Sequence, residues 1–88
     1  MIPCLPRGVR LHWDKLRETH VLLGPERALM LDQIAYEILR RVDGETTGDA
    51  IFEDLAATFN APLDQVRTDA SALLTDLADK RLLEAKDA

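Results

Sequence analysis

The chain has 88 residues, 47% hydrophobic and 31% charged, with 16 acidic against 11 basic side chains and a net charge of −5. That length makes one small domain, and its mixture of apolar and charged residues excludes disordered and collagen-like classes. The negative charge opposes non-specific attachment to phosphate backbones or anionic membranes, and no apolar run approaches the roughly 20 residues of a membrane helix.

The start, Met1-Ile2-Pro3-Cys4-Leu5-Pro6, has two prolines and no apolar stretch of the kind a signal peptide needs. A soluble cytoplasmic protein is expected. Residues 1–7 read as an N-terminal tail, of which Met1 to Leu5 are either disordered or packed on a second copy. Cys4 is the single cysteine, so it forms no intrachain disulfide and reads as an incidental thiol. Val9, Leu11 and Trp13 then alternate with Arg10 and His12, the period-2 pattern of a half-buried strand. Asp14 to Glu18 is a connection, and His20-Val21-Leu22-Leu23 is a second strand. Gly24-Pro25-Glu26-Arg27 is a turn, because Pro25 pre-sets its own φ and Gly24 tolerates conformations closed to other residues. Ala28 to Leu31 returns as the third strand of an antiparallel meander.

Three helices follow. Ile34, Ala35, Ile38, Leu39 and Val42 repeat at helical spacing, with Asp32 as N-cap and Asp43-Gly44 as the expected end. A second helix begins near the N-cap Thr47 and carries Ile51, Phe52, Leu55, Ala56 and Phe59. Asn60-Ala61-Pro62 stops it, and Pro62 opens the third helix. That helix has Leu63, Val66, Ala70, Leu73, Leu74 and Leu77 on its buried stripe, with Arg67, Asp69, Asp76 and Asp79 on the wet side. Leu82-Leu83 tucks back on the core. The fold class is α+β, winged helix-turn-helix-like: a three-stranded antiparallel sheet followed by three helices. Residues 8–84 form the single domain and 85–88 a C-terminal tail.

Catalytic and metal chemistry find little support. His12 and His20 lie on separate strands, either facing each other across the pair or simply exposed, and no His, Cys or carboxylate cluster has metal-ligand spacing. Gly8, Gly24, Gly44 and Gly48 form no phosphate-cradling pattern, and Ser71 lacks triad partners. Glu53-Asp54 and Asp76 with Asp79 read as solvated helix surface rather than acid–base pairs. No cofactor or enzyme activity is expected. Nucleic acid is the rival partner, since three helices and a wing suggest helix-turn-helix. The third helix, however, presents Asp64, Asp69, Asp76 and Asp79, which repel a polyanion.

The order Pro6-Arg7-Gly8-Val9-Arg10-Leu11, Val21-Leu22-Leu23-Gly24-Pro25-Glu26-Arg27 and Leu31-Asp32 is distinctive. It continues through Ala35, Ile38-Leu39, Asp43-Gly44, Thr47, Ile51, Leu55, Val66, Asp69, Leu74, Leu77 and Leu82-Leu83. From about residue 6 to residue 84 this resembles the PqqD family of pyrroloquinoline quinone (PQQ) biosynthesis. The resemblance implies a recognition element for ribosomally made, modified peptides. Such an element binds the precursor peptide PqqA as an added strand and presents it to the radical S-adenosylmethionine enzyme PqqE, without bond-making of its own. The sequence departs from the family pattern at Gly48, where a branched apolar residue is usual and whose absence loosens the helix start. It departs again at Arg81, where a glycine is common.

An open sheet edge offers unpaired backbone groups, which fits strand addition. The expected peptide-binding residues are Arg27, Ala28, Leu29, Met30 and Leu31 on the third strand, walled by Val66, Arg67, Asp69, Ala70, Leu73 and Leu74 of the third helix. Of the strand side chains, either Leu29 and Leu31 or Ala28 and Met30 face the core. Arg67 and Asp69 stand where they would pair with peptide charges. Two alternative functions remain at this point, a carrier binding the quinone or an intermediate in an apolar cleft, and a winged-helix regulator. An open edge also allows a homodimer.

Overall fold

The alternation at the front of the chain does produce a meander. In the computed structural model, which describes residues 1–87, strand β1 (Ile2–Cys4) precedes β2 (Arg10–Asp14), β3 (Thr19–Leu23) and β4 (Ala28–Met30). Ala88, the last residue of the expected C-terminal tail, lies outside the described residues. The meander has spatial order β2-β3-β4, all antiparallel. Leu11 stands opposite Leu22, and Leu22 opposite Leu29, so one apolar row crosses the sheet toward the core. His12 pairs with Val21 and His20 with Trp13. The two histidines therefore point to opposite faces and do not meet. His20 instead stacks on Tyr36, ring centroids 3.8 Å apart.

Helices α1 (Gln33–Leu39), α2 (Gly48–Phe59) and α3 (Leu63–Asp79) complete the expected α+β order. Both anticipated N-caps form: the Asp32 carboxylate accepts the Ala35 N–H at 2.7 Å, and the Thr47 hydroxyl accepts the Ala50 N–H at 3.1 Å. Helix α1 is shorter than its periodicity suggested. It stops at Leu39 because Asp43 builds a separate turn, accepting the N–H groups of Glu45 (2.9 Å) and Thr46 (2.8 Å) around a left-handed Gly44. Hydrogen bonds from Thr46 and then Glu45 hold the Asp43 carboxyl below its ordinary pKa. Between these two features Arg41 ties α1 to α2, donating to Glu37 at 2.8 Å and to Asp54 at 2.5 Å.

At its other end α3 closes with Arg81 in the left-handed region, φ 61°. The Leu82 N–H reaches the Leu77 carbonyl at 2.9 Å, and the Arg81 N–H reaches that of Ala78 at 3.0 Å, the paired bonds of a Schellman end. This turn drives Leu82 and Leu83 into the core beside Leu22, Leu39, Ile51 and Leu77, as anticipated. Each such buried aliphatic side chain contributes about 2 kcal/mol. Leu82 also packs on the β3–β4 turn, where a Cβ at Gly24 would come within 2.7 Å of it.

The chain ends behave differently from the loose tails expected. Strand β1 pairs antiparallel with β5 (Glu84–Lys86), and Pro3, opposite Ala85, is fully buried. The Met1 carbonyl accepts the Gly48 N–H at 2.8 Å, and Met1 covers Gly48 so closely that a Cβ there would lie 2.9 Å from its methyl carbon. Gly48 thus seats the N-terminal strand rather than merely loosening α2.

Candidate functional site

Two hydrogen bonds set the phase of the β3–β4 ladder. The Gly24 N–H donates to the Arg27 carbonyl at 2.8 Å, and the Leu31 N–H donates to the His20 carbonyl at 3.0 Å. Backbone groups in an antiparallel pair alternate inward and outward, so Arg27, Leu29 and Leu31 face β3 while Ala28 and Met30 face away. No strand among the described residues pairs with that outer edge. The N–H and C=O groups of Ala28 and Met30 are thus presented along one line. Side chains divide the same way: Leu31 is buried and Leu29 half-buried on the core face, whereas Ala28 and Met30 are exposed, Met30 by 68%.

Three residues after the strand ends, α1 begins, and an apolar cavity of about 280 Å³ opens between it, the end of α2 and the start of α3. Its lining comes from Ile34 and Ile38 of α1, Leu55 and Phe59 of α2, Ala61, and Val66 and Ala70 of α3. Ile34 and Phe59 are 68% and 52% exposed, large apolar side chains left at its mouth. Its polar lining is paired by helix geometry. Gln33 donates to Glu37 at 3.0 Å on α1, and Gln65 donates to both Asp69 oxygens at 3.1 and 3.0 Å on α3. The Arg41 guanidinium, helped by Arg40, holds the Glu37 carboxyl below its ordinary pKa.

Of the residues singled out on α3, Val66, Asp69 and Ala70 line this cavity. Leu73 is half-buried against the core, Leu74 is core, and Arg67 is exposed, 3.6 Å from Asp64. Arg27 is exposed in the turn before β4, and Leu31 belongs to the core. Gln33, Ile34, Glu37, Phe59 and Gln65 were not foreseen as site residues. The two amide–carboxylate pairs at four-residue spacing were the signal available for Gln33, Glu37 and Gln65; for Ile34 there was none, since its periodicity reads as core.

A second cavity, about 270 Å³, lies beyond Gln33 under Trp13, His20, Leu31 and Tyr36. Along α3 the exposed face carries Asp64, Asp69, Asp76 and Asp79, an acidic surface where a DNA reader presents cations.

Comparison with known proteins agrees with this architecture. Residues 19–83 match the family model described as coenzyme PQQ synthesis protein D (PqqD). A protein of Bradyrhizobium diazoefficiens named PqqA binding protein is 44% identical over 86 residues, spanning 97% of this chain and 84% of that one. The bifunctional coenzyme PQQ synthesis protein C/D of Methylorubrum extorquens is 45% identical over 83 residues, which are 94% of this chain and 22% of the longer relative. Among solved structures, the PqqD truncation of Methylobacterium extorquens PqqCD superposes with a TM-score of 0.81 at 44% identity, over 94% of this chain and 88% of that one. Its solution NMR structure is described as a functional, stand-alone recognition element for ribosomally synthesized and post-translationally modified peptides. The chain belongs to the PqqD family.

Proposed function

We propose that this protein binds the precursor peptide PqqA as an additional strand on the outer edge of β4 and presents it to PqqE without catalysing a reaction itself. The observation that carries this reading is the outward row of Ala28 and Met30 backbone groups, followed directly in the chain by the helix that helps line the apolar cavity. An extended peptide satisfies the first with hydrogen bonds and fills the second with a side chain. Membership of a family whose relatives are named for PqqA binding supports the choice of peptide. The chemistry of the cavity supports a non-catalytic role. Its carboxylate Glu37 is shifted down by arginines, whereas a general acid at neutral pH needs a carboxyl shifted up.

The phase of the ladder supplies a sharp test. Met30→Pro removes an outward N–H and leaves the β3–β4 bonds in place, so the fold is retained while PqqA affinity drops about tenfold or more. Leu29→Pro removes an inward N–H and costs about 3 kcal/mol of stability. Calorimetric titration of PqqA with both variants decides. Undiminished binding by folded Met30→Pro rejects strand addition at β4, and failure of the PqqA-loaded protein to co-elute with PqqE rejects the adaptor role.

A further inference from the structure

We infer that the cavity between α1, α2 and α3 is a recognition pocket for one large apolar side chain with a lysine or arginine adjacent to it in the bound peptide, and that Asp69 reads that cation. This rests on the peptide-binding reading and adds the chemistry of the segment recognised.

The size of the cavity argues for one side chain. At about 280 Å³ it falls just below the roughly 300–1,000 Å³ of sites that enclose whole small molecules. Ile34, Ile38, Phe59 and Val66 offer only hydrocarbon and an aromatic ring, so the group that enters must be apolar. The exposure of Ile34 and Phe59 is unfavourable in the empty protein and is relieved when a side chain is inserted between them.

Charge specifies the neighbour. Two carboxylates line the cavity, and their surroundings differ. Glu37 already holds Arg40 at 3.0 Å and Arg41 at 2.8 Å. Asp69 is bonded by the neutral Gln65 amide, and no ion pair to it is formed among the described residues. From Glu45 to Asp79, the stretch that holds α2 and α3, the sequence has eight acidic residues and a single base, Arg67, so these two helices carry net negative charge. A peptide cation beside the apolar anchor meets complementary potential there, and a peptide carboxylate is repelled.

The test uses labelled full-length PqqA, fluorescence anisotropy, and replacement of each PqqA lysine and arginine by glutamine. Val66→Trp fills the cavity from the α3 side and is expected to weaken binding about tenfold. Phe59→Ala, at a half-exposed position, provides a second variant if Val66→Trp does not fold. Asp69→Asn is expected to weaken binding about threefold at low salt, with the difference closing near 0.5 M salt. Replacing the adjacent cation in PqqA should cost affinity against the parent protein and almost none against Asp69→Asn. Wild-type affinity in the cavity variants, or fully additive Asp69 and cation effects, overturns the inference. If Met30→Pro abolishes binding while the cavity variants are neutral, strand addition stands and the pocket falls. Absence of PqqA binding by the parent protein overturns the peptide reading and this inference together.

Discussion

Helix α3 has two halves of similar apolar periodicity and different surroundings. Toward its C-terminus, Leu74 and Leu77 are buried, and Leu82 and Leu83 fold back on them. Toward its N-terminus, Val66 is half-buried, and the exposed Gln65 and Asp69 stand beside it along an open cavity. The stripe is the same device throughout; what changes is whether another element closes over it. Leu82 and Leu83 cover one half, while the end of α2 and the first turn of α1 stop short over the other. If the open half binds peptide as proposed, stability and recognition are separated along one helix, and substitutions should separate them too.

The largest expected effect is in the closed half. Leu77→Ala should lower the unfolding free energy by about 3 kcal/mol in guanidinium titration and leave the PqqA affinity of the folded protein within about twofold. A large affinity loss without a stability loss would dissolve the division. Next is the turn that closes this half. Arg81 is left-handed at the position glycine occupies at least cost, so Arg81→Gly should add about 1 kcal/mol with no change in binding. A decrease would mean that the guanidinium makes a stabilising contact outweighing the strain. The smallest effect concerns the open half. The Glu37 pKa is depressed by Arg41 and Arg40, so its contribution is complete above the ordinary value of 4.5 and is lost as pH falls through the folded-state value. Melting curves between pH 6 and 3 should fall more steeply for the parent than for Glu37→Gln. Parallel slopes would show that the arginines do not depend on that charge.

Local signals carried the reading of the sequence a long way. Asp32 and Thr47 announced their helices because a capping side chain lies three residues from its partner, and the meander followed from short-range alternation. The pairing of β1 with β5 had no such signal. Each strand is three residues long, Pro3 reads as a strand breaker, and the partners are about eighty residues apart. The end of α1 is not visible in the periodicity because Val42 continues the apolar phase while Asp43 captures the backbone for its own turn. Ile34 shows the deeper limit: periodicity says which residues share a face, but not whether that face is covered.

The joining of the two chain ends in one small sheet also constrains how this domain is built into larger proteins. The Met1 carbonyl sits at the first residue of α2, and Phe59, at the cavity mouth, ends that helix about 16 Å away along its axis. A domain fused at either terminus, in the manner of the longer C/D relative, would leave from the same corner and begin its linker there. Such a tether raises the local concentration of the fused domain without laying its first residues across the cavity mouth. Order of fusion then matters less than linker length, which has to span one helix to bring the fused domain to the cavity mouth.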